Sequence, residues 1–293
     1  MSRARVLVKL LYLLASCSPT ETTAATPANV PADSQPATPA EVPATPPPEA
    51  PTVTAPAETP DPLRFLRSPP AGFVDLRTAL PGACFDIRYH TSNNFVGAPL
   101  PGYGAPGAWM LEAPADALQR VNVQLQEQGL TLLIYDSYRP FRGTSAMVAW
   151  AKRTDQVFLL DNGYIARRSG HNHGHTVDLT IAKVETCEPI DMGTLWDVLD
   201  ERSHTRNATG IPLENRLLLK RLMSEQGFKP YSKEWWHFQF AMEGSKPRDV
   251  PYGCQEPDEG AWTHPNGWEV SSWVPPSEVP NGPCLSSSSA PSP

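Results

Sequence analysis

From residue 18 to about residue 62 the chain is almost wholly Pro, Ala, Thr, Glu and Val, with no aromatic residue. Such a stretch cannot bury enough apolar surface to offset the entropy of ordering it, and its prolines favour an extended, partly polyproline form. It can serve only as a spacer, so any hydrophobic core must be built from residues beyond it. The 293 residues include 34 prolines, and the segment after Cys254 is again rich in Pro, Ser and Gly. Trp262, Trp268 and Trp273 nonetheless argue against a wholly unstructured tail. Residues 63–254 remain, the size of one compact domain.

The N-terminus places a basic start, Met1 to Arg5, before the apolar run Val6 to Leu14, which only Lys9 interrupts. This is the order of a secretory signal, and the run is too short to span a bilayer. Leu14-Ala15-Ser16-Cys17 resembles the bacterial lipobox, in which the cysteine is acylated and becomes the new N-terminus. The expected organisation is a lipoprotein signal peptide over 1–17, a tether over 18–62, a folded domain over 63–254 and a Pro/Ser-rich tail over 255–293. The expected location is outside the cytoplasm, facing the periplasm, with the lipid on Cys17 as the only membrane contact. The envelope site favoured is the outer membrane.

The formal net charge is −7 and the folded segment carries no basic cluster, so the electrostatic footprint of a nucleic-acid binder is missing. No obligate protein partner is inferred. Besides Cys17 there are Cys84, Cys187, Cys254 and Cys284, an even number in an exported chain, with three possible pairings. The pairing expected is Cys254 with Cys284, which would pin the tail. No CxxC occurs and no cysteine adjoins a candidate catalytic histidine.

Periodicity predicts helices over 114–128, 144–152 and 214–225, and strands over 85–89, 130–135, 176–181 and 235–240. Pro114 suits a first helical turn, and Gly129 and Gly227 stand as stops. Helices alternate irregularly with short strands and lack a βαβ period. The fold class expected is α+β, with a mostly antiparallel central sheet flanked by helices.

Three of the seven histidines fall in Ser169-Gly170-His171-Asn172-His173-Gly174-His175-Thr176-Val177-Asp178, and another ends Glu234-Trp235-Trp236-His237. Hydrolytic zinc sites use three protein ligands, commonly imidazoles or carboxylates, and a nearby carboxylate to take a proton from water. The spacing of Glu234 and His237 is not that of an HExxH helix; the two tryptophans favour a strand or tight turn. Strand alternation cannot choose among His171, His173 and His175, because all lie an odd number of residues from Asp178.

Six segments in order resemble the VanX-type D-alanyl-D-alanine dipeptidases, a zinc peptidase family. They are Asp86-Ile87-Arg88-Tyr89 with Asn94-Phe95-x-Gly97; Asp136-x-Tyr138-Arg139-Pro140; and Ser169-x-His171-x6-Asp178. Met192-Gly193-x3-Asp197, Asp200-Glu201-Arg202-Ser203-His204 and Glu234-Trp235-Trp236-His237 complete the series. The resemblance implies one Zn²⁺ held by His171, Asp178 and His237, with Glu234 as catalytic acid/base and Arg139 as the stabiliser of the oxyanion. It places Tyr89, Asp136, Ser169 and Asp197 in the substrate pocket, with Asp197 on the substrate ammonium, and it implies a small dipeptide substrate. A carboxypeptidase relative would more often carry Pro at the position of Trp235. Thr176 departs from the Ala common in the family, and His173 and His175 are extra beside the motif.

Taken singly, several of these residues have plainer readings. His237 alone would be an ordinary core histidine, and Asp178 alone a capping residue. Arg139 alone would be a salt-bridge partner of Asp136. His204 reads as part of a charged structural turn, His90 and His264 as surface residues without partners, and Trp235 and Trp236 as wall and core.

Overall fold

The structure is a computed structural model that describes residues 61–256 and 260–271. The expected signal peptide, Cys17 and nearly all of the tether lie outside the described residues, as do Trp273 and Cys284. In chain order the elements are β1 (Phe73–Asp75), α1 (Leu76–Ala79), β2 (Cys84–Phe85), β3 (Trp109–Leu111), α2 (Glu112–Gln126) and β4 (Leu130–Asp136). Then come α3 (Phe141–Arg153), α4 (Val157–Asp161), β5 (Thr176–Lys183) and α5 (Gly210–Glu225). β6 (Phe228–Pro230), β7 (His237–Phe240), β8 (Trp262–Thr263) and β9 (Glu269–Val270) complete the order.

The central sheet has five strands in the order β2-β4-β5-β7-β6. Only β2–β4 is parallel; β4–β5, β5–β7 and β7–β6 are antiparallel. The architecture is therefore the expected α+β class. β4 and β5 are apolar and buried nearly throughout, as strands covered on both faces must be.

α2 packs on β4 because Leu118, Val121 and Leu125 recur at helical spacing and are fully buried. Each such side chain contributes about 1.5–3 kcal/mol on burial. The one polar group on that face, Asn122, is satisfied. Its Oδ1 accepts from Leu132 N and Thr131 Oγ1, both at 2.9 Å, and its Nδ2 donates to Pro81 O. α5 packs against β6.

Three expectations change. The strand expected over 85–89 stops at Phe85; after Asp86 N bonds Ile134 O, a single 3-10 turn over Arg88–His90 lifts Tyr89 off the sheet edge. His90 has a partner, its Nδ1 lying 2.6 Å from Tyr103 O. His264 is buried rather than superficial, stacked on Trp268 at 4.6 Å in the β8–β9 hairpin. That hairpin packs on α3, which explains why the tail carries tryptophans. Cys84 and Cys187 form a disulfide. Cys254 is also disulfide-bonded, and its expected partner Cys284 lies outside the described residues.

Candidate metal centre

His171 sits on a one-turn 3-10 helix over Gly170–His173. Ser169 caps that turn, its Oγ accepting from His171 N, and Gly174 closes it in the left-handed conformation at φ 77°. A Cβ at Gly174 would lie 2.2 Å from the Phe73 ring, so only glycine fits. The turn leads into β5, which carries Asp178, and the antiparallel ladder sets Asp178 opposite His237, the first residue of β7. Glu234 lies one tight turn earlier, with His237 N bonded to Glu234 O. The Trp235-Trp236 pair thus forms the turn before the strand rather than part of it.

His171 Nε2 lies 3.3 Å from both Asp178 Oδ1 and His237 Nδ1, and His237 Nδ1 is 3.0 Å from Asp178 Oδ1. A tetrahedral zinc with bonds of about 2.0–2.1 Å has ligand–ligand edges of about 3.3–3.4 Å. The donor set and its spacing fit such an ion. Among the described residues these three side chains form a group able to hold a metal. His171 Nδ1, 2.6 Å from Ser137 O, donates to that carbonyl, which leaves the Nε2 lone pair turned inward. Burial holds the His237 ring below the ordinary histidine range, favouring the neutral imidazole that a metal needs. Burial opposes ionisation of Asp178, yet the His171 and His237 rings beside it hold its carboxyl far below the usual range.

The two extra histidines point elsewhere. His173 Nδ1 lies 3.0 Å from Ser245 O, and His175 is buried beside His173 with ring centroids 5.4 Å apart. Thr176 is fully buried at the start of β5.

Glu234 Oε2 approaches His237 Nδ1 at 3.6 Å. Burial first, then the Asp178 and Asp197 carboxylates, push the Glu234 carboxyl well above the glutamate range, with Arg139 pulling the other way. Asp197, at φ 64° in the left-handed region, accepts from Tyr89 OH at 3.0 Å. Its carboxyl is likewise raised, by burial and then by Asp178. The guanidinium of Arg139 lies 5.0 Å from the Tyr89 ring centroid, and its Nη2 is 3.8 Å from Asp178 Oδ2.

Asp136 stands behind this group. Its Oδ2 accepts from Arg139 Nε and Nη2 at 3.0 and 2.8 Å, and its Oδ1 accepts from Tyr103 OH at 2.5 Å. Tyr89, Arg139, Ser169, Asp197, Glu234 and the three candidate ligands all line one cavity of about 420 Å³; Asp136 does not. Arg139 is therefore both a salt-bridge partner of Asp136 and a wall of the pocket.

Sequence reasoning passed over Tyr103, Asn172, Tyr164 and Tyr231. Asn172 Nδ2 donates to Arg139 O and Thr144 Oγ1 and so ties the histidine turn to α3. Its position between two histidines was the available signal. Tyr164 and Tyr231 line the cavity, and Tyr164 OH lies 2.8 Å from His204 Nε2. His204 belongs to a structural turn, as expected, in which Arg202 pairs with Asp200.

The family Peptidase_M15, described as D-ala-D-ala dipeptidase, matches residues 70–254. The D-alanyl-D-alanine dipeptidase of Enterococcus faecium is 33% identical over 197 residues, covering 62% of this chain and 94% of the relative. That of Enterococcus faecalis is 34% identical over 188 residues, 59% of this chain and 93% of the relative. The Escherichia coli protein of the same name is 31% identical over 176 residues, 59% of this chain and 87% of the relative.

Proposed function

We propose, from the premise that this chain belongs to the D-Ala-D-Ala dipeptidase family of metallopeptidases, that it hydrolyses free D-Ala-D-Ala or a closely related dipeptide. The ion is Zn²⁺, held by His171, Asp178 and His237. The observation that carries this reading is the mutual 3.0–3.3 Å spacing of three ligand atoms in the wall of the cavity that also holds Glu234.

Zinc bound there supplies a Lewis acid, which lowers the pKa of water and polarises a carbonyl. Glu234 takes the proton from the attacking water and later returns it to the leaving nitrogen. Burial, then the Asp178 and Asp197 carboxylates, raise its pKa and so strengthen it as a proton acceptor. Arg139, already fixed by Asp136, stabilises negative charge growing on the scissile carbonyl oxygen and needs little reorganisation to do so. Asp197, oriented by Tyr89, takes the α-ammonium. A carboxylate dedicated to that ammonium makes a free N-terminus a requirement and selects against longer or blocked chains.

The reading extends to location. Export and anchoring through a lipid on Cys17 suit a substrate released by cell-wall peptide turnover, or removed in glycopeptide resistance. Among the described residues no helix is long and apolar enough to cross a membrane. The Cys84–Cys187 disulfide suits an oxidising compartment. The test is turnover by the zinc-loaded protein of D-Ala-D-Ala against an N-acylated D-Ala-D-Ala tripeptide. Hydrolysis of the dipeptide alone supports the proposal; cleavage of the blocked tripeptide would assign a carboxypeptidase instead.

A further inference from the structure

We infer that Arg168 binds the C-terminal carboxylate of the dipeptide, so that the cavity reads both charged ends of its substrate; this rests on the dipeptidase reading above. A free dipeptide is a zwitterion. Its carboxylate must enter a cavity walled by Asp178, Asp197 and Glu234, and with the metal and Arg139 given to the scissile carbonyl, a further cation is needed to offset their repulsion at that end.

Three arginines line the cavity, Arg139, Arg167 and Arg168. Arg139 is engaged by Asp136 at 2.8 and 3.0 Å. Arg167 is engaged by Asp161 Oδ1 at 2.8 Å and by Leu160 O at 3.4 Å. Arg168 is exposed and makes no hydrogen bond or ion pair among the described residues. It is thus the cavity guanidinium whose fork is open to a ligand, and a guanidinium fork matches a carboxylate in two parallel hydrogen bonds. Its place in the chain fits the role. Arg168 directly precedes Ser169, which caps the turn carrying His171 and also lines the cavity.

The pair is exposed to solvent, so its effect is moderate and screened by salt. On D-Ala-D-Ala, Arg168→Ala is expected to raise KM roughly 5- to 20-fold with kcat nearly unchanged, and Arg168→Lys to fall between. The discriminating substrate is the same dipeptide with a C-terminal carboxamide. The wild type should lose affinity for it by a similar factor, and Arg168→Ala should add no further loss. Zinc content, unchanged in both variants, shows that the fold is intact. Equal KM in wild type and Arg168→Ala on the free acid, or an equal penalty from Arg168→Ala on acid and amide, overturns the inference while leaving the dipeptidase reading in place. A zinc-loaded wild type that turns over neither substrate overturns both.

Discussion

Asp136 and Asp178 face each other across the β4–β5 ladder, and they do so only because the register slips by one residue between Ile134 and Asp136. Ile134 pairs with Leu179, so a regular ladder would set Asp136 against Val177 and turn it to the opposite face of the sheet. The bulge at Tyr135 brings both carboxylates to the same face. Asp178 there joins the two histidines, while Asp136 grips Arg139 and approaches His171 Nδ1 at 3.3 Å.

Asp136 thus positions both His171 and Arg139, the proposed metal ligand and oxyanion stabiliser, without itself lining the cavity. Asp136→Asn is expected to weaken zinc affinity by roughly 10- to 100-fold. With zinc saturating, it should lower kcat more than it raises KM. Competition against a chelator of known affinity, then steady-state kinetics at excess zinc, separates the two effects. Unchanged zinc affinity together with unchanged kcat would remove Asp136 from this role.

Glu234→Gln keeps the shape of the side chain and removes its ability to shuttle a proton. Turnover is expected to fall by about 10²- to 10⁴-fold, with one zinc per chain retained. Kinetics paired with metal analysis of the same preparation checks this; full activity in the variant would dismiss Glu234 as the acid/base.

Asp197 carries a cost that can be read by pH. Its folded pKa is raised, first by burial and then by Asp178, above an unfolded value of about 3.9. Its contribution to stability is therefore fully present below that unfolded value and lost as pH rises through the folded one. In the zinc-free protein, Asp197→Asn is expected to raise the Tm at pH 7, with the difference shrinking below about pH 4. The same substitution should raise KM for the dipeptide by roughly 10- to 100-fold. Thermal melts at both pH values and a KM measurement test the two halves; a lower Tm at pH 7 would contradict the assigned electrostatics.

The Cys84–Cys187 bridge joins the edge strand β2 to the turn after β5 and closes a sequence separation of 103 residues. Replacing both cysteines by serine is expected to cost about 2–5 kcal/mol of stability, measured by denaturant unfolding. At low temperature zinc content and turnover should persist, because neither cysteine lines the cavity.

Much of this is legible in the residues alone. α2, α3, α5 and strands β4 and β5 arise from apolar periodicity that packing then uses, as Leu118, Val121 and Leu125 illustrate. The histidine and aspartate motif and the Glu-Trp-Trp-His segment lead to the same four side chains that converge in the structure. The position of Asp136 is not legible, because a one-residue bulge leaves no periodic signal and yet reverses which face a side chain takes. Tyr103 escapes for a related reason: it lies in the Pro- and Gly-rich loop before β3, where no repeat marks a residue as buried. His264 reads as superficial because its stacking on Trp268 depends on a hairpin too short to pattern.

On the proposed mechanism, one ion gripped by His171, Asp178 and His237 is required for dipeptide hydrolysis. The most direct measurement of this requirement is the turnover of D-Ala-D-Ala while zinc is added back to the metal-stripped protein, alongside the same titration of His237→Ala. Activity should rise in proportion to zinc and level off at one equivalent per chain, with the variant neither holding that equivalent nor recovering turnover. Undiminished hydrolysis in the stripped protein, or one-to-one zinc uptake with full activity in His237→Ala, would contradict it.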